Sequence, residues 1–93
     1  MDALSKIKSI KEIAKIVEDV KQNHRKVVHC HGEFDLLHLG HMRYFKKAAE
    51  MGDFLIVTLT PDRFIEKGPG RPVFNETFRA EAISYLEFVN CVG

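Results

Sequence analysis

The feature that most constrains this fold is a short apolar run, Val27-Val28-His29-Cys30, that breaks at a glycine and reopens as a helix. The join reads Gly32-Glu33-Phe34-Asp35-Leu36-Leu37-His38-Leu39-Gly40-His41. Strand, glycine turn and helix in that order begin a βαβ unit. The helix N-terminus gathers backbone N–H groups and the positive end of a dipole, which together favour an anion. The same turn carries two imidazoles three residues apart, His38 and His41, with Gly40 between them leaving room for close approach. Histidines at a phosphate-binding turn suggest chemistry on the phosphate as well as its capture.

The rest of the chain completes the unit. Ser9 and Glu12 have capping-box spacing, and Ile10, Ile13, Ala14, Val17 and Val20 recur on one face, so an amphipathic helix is expected over residues 9–22. Asn23-His24-Arg25 ends it, and Lys26–His31 reads as the first strand. From Leu39 to Met51 the period is helical, with Leu39, Met42, Phe45, Ala48 and Ala49 on the inner face and Gly52 stopping the helix. Phe54–Leu59 is the second strand, and the short connections make the unit parallel and right-handed. Lys67-Gly68-Pro69-Gly70-Arg71-Pro72 has too many glycines and prolines for regular structure and reads as a mobile basic loop. Asn75 is the expected N-cap of a third helix with a buried stripe of Phe78, Ala82 and Leu86, and Phe88–Val92 the expected third strand.

Composition narrows the class. Ninety-three residues with a net charge of +1 form one small domain with no global attraction for nucleic acid or anionic membrane. No apolar run reaches the length of a membrane span, and the N-terminus lacks the apolar core of a signal peptide, so a cytoplasmic protein is expected. Cys30 and Cys91 each sit in strand-like apolar segments and read as reduced, buried thiols. Five histidines invite a metal reading, but the glycine placement fits phosphate better, and no metal site is expected.

Transfer of a nucleotidyl group requires a held triphosphate, stabilisation of charge growing on the α-phosphate, and departure of pyrophosphate. Two imidazoles at a helix N-terminus supply donors for that charge, and an acceptor phosphate needs no protein nucleophile. His38-Leu39-Gly40-His41 has the H-x-G-H form, and Gly32-Glu33-Phe34-Asp35 the G-x-F-D form, of the cytidylyltransferase-like nucleotidyltransferases. Over residues 26–93 the chain resembles the adenylyltransferase domain of ADP-heptose synthesis enzymes and, more distantly, glycerol-3-phosphate cytidylyltransferase. The resemblance extends to the Lys67–Val73 loop and to Arg79.

This resemblance implies a Rossmann-like parallel three-layer α/β sandwich that transfers a nucleoside monophosphate from ATP or CTP, with Mg²⁺, to a phosphorylated sugar or polyol. It implies catalytic roles for His38, His41 and Lys67. It places nucleotide binding at Gly32, Glu33, Phe34, Asp35, Gly40 and Arg79, with Asp35 orienting the turn or helping to place Mg²⁺. Where relatives carry Asn-Gly-Cys-Phe-Asp, this chain has His31-Gly32-Glu33-Phe34-Asp35. The resemblance also implies further strands and helices beyond the third strand. Residues 1–24 are therefore read as an N-terminal amphipathic helix and residues 25–93 as an incomplete nucleotidyltransferase domain, weakly active or inactive alone. The exposed edge of half a sheet favours a homo-oligomer. The alternative is a non-catalytic nucleotide-binding or assembly module.

Overall fold

The structure is a computed structural model that describes residues 2–65 and 68–93. After a 3₁₀ turn at Ala3–Lys6, helix α1 (Ile10–Gln22) opens on the capping box expected from the sequence. The Glu12 N–H donates to Ser9 Oγ (3.1 Å) and the Ser9 N–H to Glu12 Oε1 (3.0 Å). At the other end the His24 N–H donates to the Lys21 carbonyl and the Arg25 N–H to the Val20 carbonyl, closing a Schellman motif. His24 takes the left-handed conformation (φ 59°) usually left to glycine. Replacing Ser9 with alanine should lower stability by about 1 kcal/mol, read as a lower melting temperature with unchanged helical circular dichroism.

Three strands, β1 (Val27–Gly32), β2 (Phe54–Leu59) and β3 (Cys91–Val92), form a parallel sheet in the order β1-β2-β3. Helix α2 (Leu39–Glu50) connects the first two and α3 (Glu76–Ser84) the last two. Val27 pairs with Phe54 and Gly32 with Leu59, so the glycine turn and the segment after β2 leave the same edge of the sheet. Alternation of side chains along the strands then assigns the two faces. Cys30, Leu55, Val57 and Val92 pack with Phe45 and Ala48 of α2 and Ala80 and Ile83 of α3. Ile56 and Cys91 pack with Ile13 of α1 on the opposite face. The result is the α/β Rossmann-like arrangement expected from the strand–helix order. Both cysteines are buried free thiols. The segment before α1 also joins the sheet: Ile7 bridges to Val92 in parallel, and the Lys8 N–H donates to the Val92 carbonyl (2.9 Å).

Several expectations are corrected. The third strand is two residues long, not five: a turn closed by the Val89 N–H on the Leu86 carbonyl (3.1 Å) takes up the residues before it, and Asn90, whose side chain accepts the Leu55 N–H (2.8 Å), precedes the first strand residue, Cys91. The inner face of α3 is Arg79, Ala80, Ile83 and Ser84, whereas Phe78 is 60% exposed. A stripe begun at Phe78 misplaces the face because an arginine, not an apolar residue, fills the deepest position. Leu39, the first residue of α2, is likewise exposed. Within the apolar run of β1, His29 is exposed.

Candidate phosphate-binding site

The site grows out of the end of β1. Gly32 is required by packing: a Cβ there would lie 2.7 Å from the Phe34 ring. Phe34 itself adopts a left-handed backbone (φ 49°), which costs a non-glycine residue about 1–2 kcal/mol. Its buried ring offsets that cost by standing edge-on to Phe45 (centroids 5.0 Å) and to His41 (5.5 Å). The strained residue thus fixes the turn and supports one of the two histidines from below.

At the N-terminus of α2 the two histidines cap the helix between them. The Gly40 N–H donates to His38 Nδ1 (3.0 Å), and the His38 N–H donates to His41 Nδ1 (3.2 Å). Gly40 is what allows the first of these, since a Cβ on it would lie 2.8 Å from the His38 ring. With both Nδ1 atoms accepting, each neutral imidazole carries its proton on Nε2. The rings lie 4.0 Å apart, and His38 is exposed while His41 is partly buried. The amides of His41 and Met42 are bonded to the His38 carbonyl. The amides of His38, Gly40, His41 and Met42 are therefore occupied at the helix start, which leaves the Nε2–H groups and the helix dipole to meet an anion there.

Burial, and then the charge of His38, hold the His41 imidazole below the ordinary histidine range. The sign of the resulting pH dependence follows from linkage. The unfolded chain protonates this group near pH 6.5 while the folded chain resists, so folding stability falls as pH drops below about 6.5. A proton on Nδ1 would also turn a capping acceptor into a donor facing a donor. Melting temperatures measured from pH 7.5 down to 5 should fall, and the slope should shrink in His41→Gln.

Asp35 and Arg79 hold the surrounding segments. Burial alone would raise the Asp35 carboxyl, but Arg71 Nη1 (2.9 Å) and the Phe74 and Val73 N–H groups (3.1 and 2.7 Å) outweigh it and keep the group below the usual carboxylate range. Asp35 thus binds the turn to the loop before α3. Arg79 was expected to serve phosphates. It is 2% exposed, and its nitrogens donate to the carbonyls of Phe74 and Glu33 and to Asp62 Oδ1. Three of its five N–H donors are therefore committed within the protein. Glu33 is partly buried, and its carbonyl is the one held by Arg79. Lys67, the third expected catalytic residue, lies outside the described residues. Gly68 and Gly70 of its loop have φ of 92° and 78°, values that call for glycine.

Two features were not legible beforehand. A cleft of about 300 Å³ lies beside the turn, lined by Phe34, Asp35, Leu37, Phe74, Phe78 and Ala82. On the opposite face Thr58 Oγ1 lies 2.7 Å from both His29 Nε2 and His31 Nδ1, so one hydroxyl joins the two strand imidazoles. Among the described residues, no three His, Cys, Asp or Glu side chains form a metal-binding group.

Residues 29–91 match the family model of the Cytidylyltransferase-like proteins. The chain is 38% identical to the "Bifunctional protein HldE" of Geobacter metallireducens over 98% of its own length and 19% of that protein. It is 40% identical to the protein of the same name from Campylobacter jejuni, over 99% of this chain and 20% of that one. It therefore spans about a fifth of the length of these curated relatives. Among solved structures, "the lipopolysaccharide core biosynthesis protein from Thermoplasma volcanium" superposes with a TM-score of 0.67 at 35% identity, covering 73% of this chain and 56% of that one.

Proposed function

Since the chain belongs to the cytidylyltransferase-like family, we propose that it binds the triphosphate of ATP or CTP at the start of α2. In this reading it contributes to transfer of the nucleoside monophosphate onto a phosphorylated sugar or polyol, with release of pyrophosphate. The observation that carries the reading is the paired histidine cap. Both Nδ1 atoms are tied to backbone N–H groups, so two Nε2–H donors stand side by side at the positive end of a helix. As charge builds on the α-phosphate, these donors stabilise it without reorganising, because the capping bonds already hold the rings. The attacking group is a phosphate oxygen of the acceptor and is anionic before it arrives. Mg²⁺ enters with the triphosphate as part of the substrate. The neighbouring carboxylates Asp35 and Asp62 are each engaged by an arginine.

Lys67 would meet a phosphate of the nucleotide or acceptor. The names of the relatives, HldE and a lipopolysaccharide core biosynthesis protein, support a sugar-phosphate acceptor. Among the described residues no helix is long and apolar enough to cross a membrane, and the reading places the domain in the cytoplasm. Exposed Ile10, Leu39 and Phe78 support self-association, and light scattering that returns a clean monomer would remove that part of the proposal.

The deciding experiment is calorimetric titration of the 93-residue chain with Mg·ATP and then Mg·CTP, with His41→Ala as control. Binding of one nucleotide that the variant loses supports the reading and identifies the base. Binding of both nucleotides unchanged by the variant, or of neither, counts against the site. A pyrophosphate-release assay on the same chain separates turnover from binding alone.

A further inference from the structure

We propose that Arg79 is a positioning residue that couples the glycine turn to Val73–Phe74, the segment just before α3, so that the turn and that segment take up their places together. The proposal rests on the nucleotide-binding reading above. Three stretches meet beside one edge of the sheet: the turn after β1, and the start (Asp62) and the end (Phe74) of the single connection that runs from β2 to α3. Arg79 touches one acceptor in each. Nη1 donates to the Glu33 carbonyl (2.6 Å), Nη2 to Asp62 Oδ1 (2.6 Å) and Nε to the Phe74 carbonyl (3.0 Å).

The chemistry of arginine makes this a coupling device. A guanidinium is rigid and planar, so its three nitrogens fix the relative positions of their acceptors, whereas an ammonium is a point charge on a flexible stem. The loop is also held from a second direction. Asp35 accepts the Val73 and Phe74 N–H groups and a donor from Arg71. Phe74 is thus gripped through its N–H by the turn's aspartate and through its carbonyl by Arg79, whose other nitrogen holds the turn at Glu33. A displacement of the loop is transmitted to the strained residue Phe34, which follows Glu33 and bears on His41. Arg79 is fully buried at the base of this arrangement, so it acts through the turn and not on the ligand.

The test compares ¹H–¹⁵N spectra and Mg·ATP titrations of the 93-residue chain, Arg79→Lys and Asp62→Asn. Lysine keeps the charge beside Asp62 but cannot reach all three acceptors. The variant should fold, shift the amides of Glu33–Asp35 and of Val73–Phe74 together, and lose about tenfold in nucleotide affinity, equivalent to about 1.4 kcal/mol. A lower melting temperature with unchanged affinity, or amide shifts confined to α3, would overturn the proposal. Should Arg79→Lys fail to fold, Asp62→Asn carries the same test, because its side chain is one-third exposed. Shifts reaching both Glu33 and Phe74 support coupling, and shifts limited to residues 61–64 refute it. If the unmodified chain binds no Mg·ATP, the nucleotide reading fails, and the pattern of amide shifts alone decides whether the coupling exists.

Discussion

Phe45→Ala is expected to remove about 3–5 kcal/mol of stability, the usual cost of emptying a fully buried aromatic site. A domain of 93 residues has roughly 5–14 kcal/mol in total, so the variant should melt at far lower temperature or fail to fold cooperatively. Phe45 is 0% exposed and sits where α2 meets β1 and β2. The damage should spread to the site, because Phe45 supports the Phe34 ring and Phe34 supports His41. Urea denaturation followed by circular dichroism measures the loss. Phe45→Leu, which keeps most of the volume, should retain a cooperative transition. Leu39→Ala, at a residue that is 61% exposed in the same helix, should change stability by less than about 0.5 kcal/mol. Equal effects at the two positions would contradict the packing described.

His38 allows its two roles to be separated by choice of substitution. Alanine removes the side chain that accepts the Gly40 N–H, and should cost about 1 kcal/mol of stability as well as nucleotide binding. Asparagine is among the best N-cap residues, so His38→Asn should melt close to the unmodified chain. It lacks the Nε2–H, however, and should lose a hydrogen bond to a charged group worth about 1.5–3 kcal/mol, or at least tenfold in Mg·ATP affinity. Thermal melting and calorimetry on the two variants read the roles independently. Full nucleotide affinity in His38→Asn would show that this histidine is a cap only.

Much of the arrangement was legible because it depends on local chemistry. The capping box at Ser9, the apolar run of β2 and the stop at Gly52 each use signals within a few residues of one another, and they reappear at the expected places. The reading failed where a distant partner decides the outcome. Periodicity placed Phe78 in the core, but the inner face of α3 is built around Arg79, whose acceptors lie 46 and 17 residues away in sequence at Glu33 and Asp62. No pattern within α3 announces such a residue as buried. The third strand starts late, at Cys91, because the residues before it turn and the Asn90 side chain takes the Leu55 N–H across the sheet.

The sequence by itself determined the strand–turn–helix order, the presence of two histidines at a helix start, and the family to which they point. Each of these is a matter of residue type and spacing along one stretch of chain. Only the tertiary structure decided what those groups do in the free protein. It tied both Nδ1 atoms to backbone amides, committed Asp35 to the loop before α3, and buried Arg79 as a link between three segments. The physical reason is that a polar side chain's role is set by which partners reach it within hydrogen-bonding distance, and those partners arrive from segments that meet only when the sheet forms.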